Sequence, residues 1–365
     1  MKLYKPQKIY IENAARDWPL TRRILSHLPE IPVEEIKESR SIIEWLRQNP
    51  EPIREGKRSL LLAHDRGRSF KPFPESAHYL SCDYFTLHVA EGCDLECSYC
   101  ILQAYLTNPL LTVYVNIEEM LGELKQVLDA NPNRFFRIGT GQLTDSLSLD
   151  HLTGFSEILV PFFATQKNAA LELKTKSVNI EKLLALSPRG KTIVSWSINS
   201  KKIQQEEEHK CASIEERIAA AKTILTNEGY RIGFHFDPMI DYTGWEKDYE
   251  EVLGAIFTQI PENRMAWISL GCLRMMPELK PIMQNRFPKS PLASAEWING
   301  MDKKMRYFKP RRIAMYKKMA AMIRGHAPRL TLYLSMESPE VWQEVFGWQP
   351  SHEAVCQMLD RAAVS

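Results

Sequence analysis

From about residue 82 to residue 271 the chain alternates between short aromatic and β-branched runs and longer stretches of helical periodicity. DYFTLHV (83–89), RFFRI (134–138), LELKT (171–175), TIVSWSI (192–198), RIGFHFDPM (231–239) and MAWISLG (265–271) read as strands. Between them, NIEEMLGELKQVLDANP (116–132) reads as a helix with Asn116 as N-cap and a stripe of Met120, Leu121, Leu124, Val127 and Leu128. Further helices are expected over 151–163, 179–186, 213–229 and 246–257, the third opened by a Ser213/Glu216 capping box and closed at Gly229. Strand–helix units in series specify a parallel sheet with right-handed crossovers. Eight units close a barrel and six leave it open. The expected fold class is therefore α/β, a partial (β/α)6 barrel of the TIM type, with its chemistry at the C-terminal ends of the strands.

The flanks differ from this core. Residues 1–81 hold a helix around Ile42–Arg47 and a basic, proline-punctuated stretch from Pro50 to Pro74, and read as an N-terminal extension packed on the barrel. The barrel is assigned to 82–276. Residues 277–365 form a C-terminal basic and capping region with a short strand at 330–336 and a helix near Glu340–Phe346. Net charge is only +2, so no global field points to a polyanion. No apolar run is long enough to span a bilayer, and MKLYKPQKIYIENAARDWP lacks the apolar centre of a signal peptide. Seven cysteines in no regular framework suit a reducing cytoplasm.

Three of those cysteines share one loop: Cys93, Cys97 and Cys100, in EGCDLECSYC, directly after the first strand. Thiolates spaced C-x3-C-x2-C can hold three irons of a cubane [4Fe–4S] cluster and leave the fourth iron open. Zinc with a distant fourth ligand, or a disulfide, is the alternative. Structural zinc sites usually pair two short Cys or His couples, and Cys82, Cys211, Cys272 and Cys356 are scattered.

Other strand ends supply groups to the same rim. Gly139 and Gly141, in the run GTGQLTD, allow backbone to approach a ligand closely. Lys174 and Lys176 are cations able to pair with a carboxylate, against the alternative of ordinary solvated lysines. Ser197 and Asn199 offer neutral hydrogen bonds. His235 alternates with Phe234 and Phe236, a pattern that also suits a core histidine. Asp237 precedes Pro238 and also suits a turn. Cys272 closes the sixth strand, either as a rim hydrogen-atom donor or as a buried structural thiol. Farther on, KKMRYFKPRRIAMYKK (303–318) carries eight Lys or Arg and no acid, interleaved with Tyr307, Phe308 and Tyr316. Basic plus aromatic fits a phosphate-tracking surface with stacking platforms; a solvated helix face is the alternative.

The cysteine spacing, with Tyr99 just before the last cysteine, resembles the signature of the radical S-adenosylmethionine superfamily. In that superfamily the open iron chelates the cofactor, and a one-electron reduction cleaves it to a 5′-deoxyadenosyl radical. Over roughly 80–346, the segments GCDLECSYCILQAYL, RIGTGQLTDSLSLDHLT, ELKTKS, WSINS, ERIAAAKTILTNEGYRIGFHFDPMIDYTGW, DKKMRYFKPRR and YLSMESPEVW resemble the spore photoproduct lyase family. Those enzymes reverse a thymine dimer in DNA. The resemblance implies Cys93, Cys97 and Cys100 as cluster ligands, with Tyr99, Gly139, Gly141, Thr144, Lys176 and Ser197 around S-adenosylmethionine. It implies DNA contact through Lys303, Lys304, Arg306, Lys309, Arg311 and Arg312. Two relay positions depart from the family: Gln142 stands where its hydrogen-donor cysteine follows the second strand, and Ile101 where it carries a tyrosine.

The expected function is thus a cytoplasmic radical enzyme acting on DNA or a nucleotide, as a lesion-reversing lyase or a base modifier, by a route without the family's cysteine. It would resemble the wider, sporulation-independent branch of spore photoproduct lyase-like proteins. Tyr99 and Cys272 are the expected catalytic residues, and flavodoxin or ferredoxin the expected electron donor; no membrane partner is expected. The rivals are a radical enzyme on a peptide or small metabolite, and a non-enzymatic nucleic-acid-binding metalloprotein.

Overall fold

The computed structural model describes residues 2–73, 78–80 and 83–364. Cys82, and Pro74 at the end of the proline-punctuated stretch, lie outside the described residues. Eighteen strands are described: β1 (Lys8–Glu12), β2 (Val33–Ile36), β3 (Ser59–Ala63), β4 (Phe70–Pro72), β5 (Tyr84–Leu87), β6 (Ala90–Glu91), β7 (Glu96–Cys97), β8 (Leu111–Tyr114), β9 (Phe136–Gly139), β10 (Ala169–Thr175), β11 (Thr192–Ser197), β12 (Glu208–His209), β13 (Tyr230–Met239), β14 (Met265–Cys272), β15 (Arg274–Met275), β16 (Ile298–Asn299), β17 (Met305–Arg306) and β18 (Leu332–Leu334).

The dominant sheet runs β18-β14-β13-β11-β10-β9-β5-β4, and every pairing from β5 to β18 is parallel. The six expected strands are present in the expected order. The short strand near 330 adds a seventh parallel member, and β4 closes the other edge antiparallel to β5. Successive strands are spatial neighbours, as right-handed βα crossovers demand. The sheet curls into a half-barrel whose inner and outer faces follow the period of two along each strand. On β14, Ile268 and Leu270 join the apolar core, while Trp267 and Ser269 line the lumen.

The N-terminal region is more ordered than its composition suggested. β2-β1-β3-β8 form a parallel sheet extended by the antiparallel β6. Two of its strands, β6 and β8, come from either side of Cys93, Cys97 and Cys100, so the sheet grips the cysteine loop at both ends. Ile9, Ile11, Leu60 and Leu62 face the main core, whereas Tyr10 and Leu61 face a second cluster with Leu46 of the helix Arg40–Arg47.

Some local sequence signals form as expected and others are diverted by tertiary contacts. The Ser213/Glu216 capping box forms, with both reciprocal hydrogen bonds, though the helix runs only Ile214–Ile224. Asn116 does precede its helix, Ile117–Ala130, but its side chain does not cap it. Its amide instead brackets the Asp65 backbone, accepting from Asp65 N at 3.0 Å and donating to Asp65 O at 3.1 Å. The single helix expected over 151–163 is two, Asp150–Thr153 and Phe155–Ala164, because Gly154 takes a φ of +62° that breaks the helical run. The C-terminal region holds the long helix Lys309–His326, the expected helix as Pro339–Phe346, and an unanticipated helix His352–Val364 whose Asp360 pairs with lumen-facing Arg137 at 2.7 Å.

Candidate active site

The cysteine loop leaves β5 at the C-terminal edge of the half-barrel. Its backbone is pinned on two sides. β7 pairs antiparallel with β12, and Ser98 N donates to Glu207 O at 2.8 Å. Gly92 N donates to Leu143 O at 2.9 Å, which joins the loop to the turn after β9. Gln103 Nε2 reaches back to the carbonyls of Cys97 and Ser98, at 3.1 and 3.0 Å. A local loop with these ties holds its thiols in a fixed arrangement before any ligand arrives.

The three thiols have different surroundings. Cys93 and Cys100 line a cavity of about 580 Å³ beside the loop, together with Lys57 and Arg286. Burial pushes both thiols up, reinforced at Cys93 by Asp94 and at Cys100 by Cys97. A hydrogen bond from Cys211, 3.6 Å away, draws Cys97 down to about 7 against its burial, and Lys176 adds to the effect. Among the described residues, no three His, Cys, Asp or Glu side chains converge closely enough for a single metal ion. The separate irons of a cubane do not require such convergence. A loop of three thiolate donors with a cation beside them fits an iron–sulfur cluster.

Lys176 is the centre of the charge arrangement. It follows β10, and its ammonium lies 3.5 Å from Cys97 Sγ, 2.8 Å from the Tyr99 hydroxyl and 3.1 Å from Glu208 Oε1. Burial works against its charge, yet Cys97 and Glu208 hold its pKa well above the usual lysine value. Burial would likewise raise Glu208, but Arg217, at 2.6 Å, and Lys176 hold it at about 2. Tyr99 donates its hydroxyl to the same carboxylate. The result is a buried Lys176–Glu208–Arg217 chain against the cysteine loop. Sequence reasoning missed Glu208, Arg217 and Cys211. Glu208 closes an ordinary-looking EEE run, and nothing in its spacing separates it from a solvated helix end.

The turn after β9 is built to sit beside this chain. Asp145 accepts from Leu147 N, Ser148 N, the Thr175 hydroxyl and Lys176 N, at 3.0, 2.9, 2.6 and 2.7 Å. It therefore locks the GTGQLTD turn to the end of β10. Thr144 and Ser197 are each 7% exposed at this rim. At Gly141 a side chain would press on Lys174 and Ser146 at 3.1 Å. At Gly139 it would overlap the Tyr84 hydroxyl at 1.7 Å, so this glycine is what admits Tyr84 into the lumen.

The comparisons with known proteins decide the family. The family model for spore photoproduct lyase matches residues 4–329. The chain belongs to the spore photoproduct lyase family, within the radical S-adenosylmethionine enzymes. Its relatives include the spore photoproduct lyase of Geobacillus sp. (strain Y412MC61), 25% identical over 80% of this chain and 85% of the relative. That of Bacillus subtilis (strain 168) is 25% identical over 94% of this chain and 98% of the relative. A solved spore photoproduct lyase complexed with dinucleoside spore photoproduct superposes with a TM-score of 0.78 at 22% identity, covering 91% of this chain and 99% of that one. A substituted form with bound AdoMet and dinucleoside spore photoproduct superposes at 0.79 and 22% identity, covering 92% and 100%. These superpositions show that the half-barrel is the fold of spore photoproduct lyases.

Inside the half-barrel of this family member, a cavity of about 180 Å³ is lined by Gln142, Glu172, Lys174, His235, Asp237 and Arg274 among others. A hydrogen-bonded chain crosses it. Tyr84 donates to Glu172 at 2.8 Å and Ser195 donates at 2.6 Å; His235 Nε2 lies 2.7 Å from the same carboxylate and its Nδ1 lies 2.6 Å from Ser269 Oγ. Asp237 pairs with Arg274 at 3.1 Å. His235 and Asp237 are thus lumen groups, not residues of the outer apolar core.

Three site expectations are corrected by this geometry. Cys272 is 2% exposed and its thiol packs 3.8 Å from Met315 Sδ, because the alternation of β14 turns it away from the lumen toward the helix Lys309–His326. It cannot deliver a hydrogen atom to a lumen substrate. Arg306 is 2% exposed and pairs with Asp302 at 2.6 Å; Arg312 is 5% exposed and pairs with Glu337 at 2.8 and 3.1 Å. Neither can reach a phosphate. Tyr307 and Tyr316 are buried as well, Tyr307 stacked on Trp297, so they offer no platform to bases. Lys303, Lys309, Arg311 and Phe308 are exposed, and Lys304 is half-buried, its ammonium pushed down by burial and by Arg274.

Proposed function

We propose that this chain is a radical S-adenosylmethionine enzyme acting on a lesion or base in DNA or a nucleotide, by a route that does not use a cysteine as hydrogen donor. The observation that carries this is Lys176, held by Glu208 and Arg217 with its ammonium 3.5 Å from Cys97 Sγ, at the C-terminal edge of the half-barrel. Cys93, Cys97 and Cys100 are the residues that would hold the [4Fe–4S] cluster. A cluster bound there would supply the one-electron chemistry that cleaves S-adenosylmethionine.

The chain's own residues do the rest. Lys176 offers its ammonium to a carboxylate, and the Glu208–Arg217 pair keeps it charged and aimed. Thr144, Ser197, Gly139 and Gly141 shape the adjoining rim, and Tyr99 braces Lys176. The lumen walls of the 82–276 unit orient the substrate and keep bulk water from it. Among the described residues, no cysteine lines the lumen cavity, and Gln142 stands in its wall. That supports a hydrogen donor other than the family's usual one. Lys303 and Lys309 are the exposed cations left to meet a phosphate backbone, with Phe308, 62% exposed, between them, while the exposed Arg311 is already paired with Asp241. A reducing cytoplasm suits the six free cysteines that are described, and a flavodoxin or ferredoxin suits the electron demand.

The test is anaerobic reconstitution with iron and sulfide, followed by dithionite and S-adenosylmethionine, with and without ultraviolet-damaged DNA. Release of 5′-deoxyadenosine, stimulated by the damaged DNA, is the expected result. Reconstituted protein that binds iron and sulfide but never releases 5′-deoxyadenosine would sink the proposal.

A further inference from the structure

Cys97 has a neighbour that a cluster held by Cys93, Cys97 and Cys100 does not use. Cys211 Sγ lies 3.6 Å from Cys97 Sγ, in direct contact. The fold builds this contact across 114 residues of sequence. The short ladder of β7 and β12 sets Glu208 opposite Cys97 and His209 opposite Glu96. The chain then turns tightly: Lys210 takes a φ of +60°, Cys211 N donates to Glu208 O at 3.4 Å, and the Cys211 thiol lies 3.6 Å from His209 O. That turn carries Cys211 back beside the ladder and onto Cys97.

The two thiols differ in access and in setting. Cys97 is 8% exposed, whereas Cys211 is partly exposed, so a small oxidant from solvent meets Cys211 first. A disulfide holds its sulfurs about 2.05 Å apart, so the pair must close by ~1.5 Å, within reach of side-chain rotation where one partner sits in an irregular turn. Such a bond has a use in a chain that depends on a free thiolate at Cys97. An unprotected cysteine climbs to sulfinic and sulfonic acid, which thiols do not reverse, while a sulfenic acid captured as a disulfide is recoverable.

We propose that Cys97 and Cys211 are a site of reversible oxidative modification, a disulfide that forms when the loop is without its cluster and keeps Cys97 recoverable. The Cys211 thiolate attacks hydrogen peroxide; an S–O bond forms, the O–O bond breaks and hydroxide leaves. The Cys97 thiolate then attacks the Cys211 sulfur; the S–S bond forms, the S–O bond breaks and a second hydroxide leaves. The two thiols lose two electrons and two protons, and the peroxide becomes two waters. A dithiol reductant of the thioredoxin class restores both thiols by exchange. This goes beyond the function proposed above and rests on it only for the role of Cys97 as a cluster ligand.

The test uses the whole chain, reduced, free of iron and stripped of reductant, treated with a stoichiometric amount of hydrogen peroxide and mapped by mass spectrometry without reduction. The expected product is a peptide linking Cys97 to Cys211, with two thiols lost of the seven in the chain. Dithiothreitol, then iron and sulfide, should return cluster content to its level before oxidation. In Cys211→Ser, or Cys211→Ala should serine disturb the turn, the link is absent and Cys97 carries sulfinic or sulfonic acid. Cluster content recovered after the same cycle should then fall severalfold against that variant's own untreated value. No linked peptide in the wild type, linkage of Cys97 to Cys93 or Cys100 instead, or equal recovery in wild type and variant overturns the proposal. Reduced protein that loads a cluster but never forms the link overturns this inference alone. Protein that forms the link but takes up no iron and sulfide when reduced overturns the cluster reading and leaves the disulfide standing.

Discussion

The cysteine loop and the basic run 303–318 look equally rich in chemistry when written as letters, and the structure treats them in opposite ways. The loop keeps its three thiols on one short, pinned turn. The basic run is divided by its fold: Arg306, on β17, and Arg312, on the helix Lys309–His326, point inward to buried carboxylates, while Lys303, Lys309 and Arg311 stay exposed. A short loop keeps its thiols near one another through covalent spacing, and a few backbone ties then fix their arrangement. A helix distributes its charges around an axis, and which of them is buried depends on partners far along the chain, such as Glu337.

The strongest break of this comparison is at the loop. Cys97→Ala should abolish both cluster content and 5′-deoxyadenosine release, measured as bound iron and sulfide and by chromatography. Retention of a full cluster in this variant would show that Cys211, 3.6 Å away, substitutes for it. Next in size is Lys176→Ala. A charge-assisted contact to a carboxylate is worth about 1.5–3 kcal/mol, so S-adenosylmethionine affinity should fall roughly tenfold or more, read by calorimetry on the reconstituted protein. Cluster content should be retained.

The inward half of the basic run should behave as structure. Arg312→Ala leaves the buried Glu337 carboxylate with only the Tyr316 hydroxyl at 2.9 Å and Arg306 at 4.0 Å, and removal of one partner of a buried pair costs up to about 3–5 kcal/mol. Thermal or urea unfolding should show that loss. Arg312→Met combined with Glu337→Gln should recover much of it, because the stranded charge is gone. A small loss in Arg312→Ala, together with a large loss of DNA affinity, would return Arg312 to the surface role first expected of it.

Acid should expose the lumen pair. The carboxyl of Glu172 is depressed from 4.5 to about 2, so its ionisation contributes stability above about 4.5 that is lost as pH falls toward 2. Unfolding free energy measured across that window should decline less steeply in Glu172→Gln than in the wild type. An unchanged slope would mean that the Tyr84–Glu172–His235 chain is not ionic in the folded protein.

Much of the fold was legible because its signals are local. Period-two strands, helical stripes and the Ser213/Glu216 box need only their neighbours in sequence. The N-terminal sheet was not legible: KIYIE and SLLLA are short apolar runs among prolines and charges, and the second strand's partner Leu111–Tyr114 lies beyond the cysteine loop. The site divides likewise. The three cysteines and Lys176 are placed by spacing from a strand end. Glu208 and Arg217 act only because β12 folds back onto β7, a pairing of two residues on each side with no signature. Cys272 was misjudged by one step of alternation: Ser269 faces the lumen, and three residues on the side chain faces the other way.

The smallest expected effect is the most specific to the comparison. Lys309 and Arg312 are three residues apart in the first turn of the same helix, which carries no acidic residue there. A cation at a helix N-terminus opposes the macrodipole, so Lys309 gains nothing locally from its position. Lys309→Ala should leave stability within about 0.5 kcal/mol of wild type. If Lys309 meets a phosphate, the same change should lower DNA affinity at low salt and reduce the slope of log K against log salt by about one. An unchanged slope would move the DNA path away from this helix and leave Lys303, which precedes it, as the cation to test.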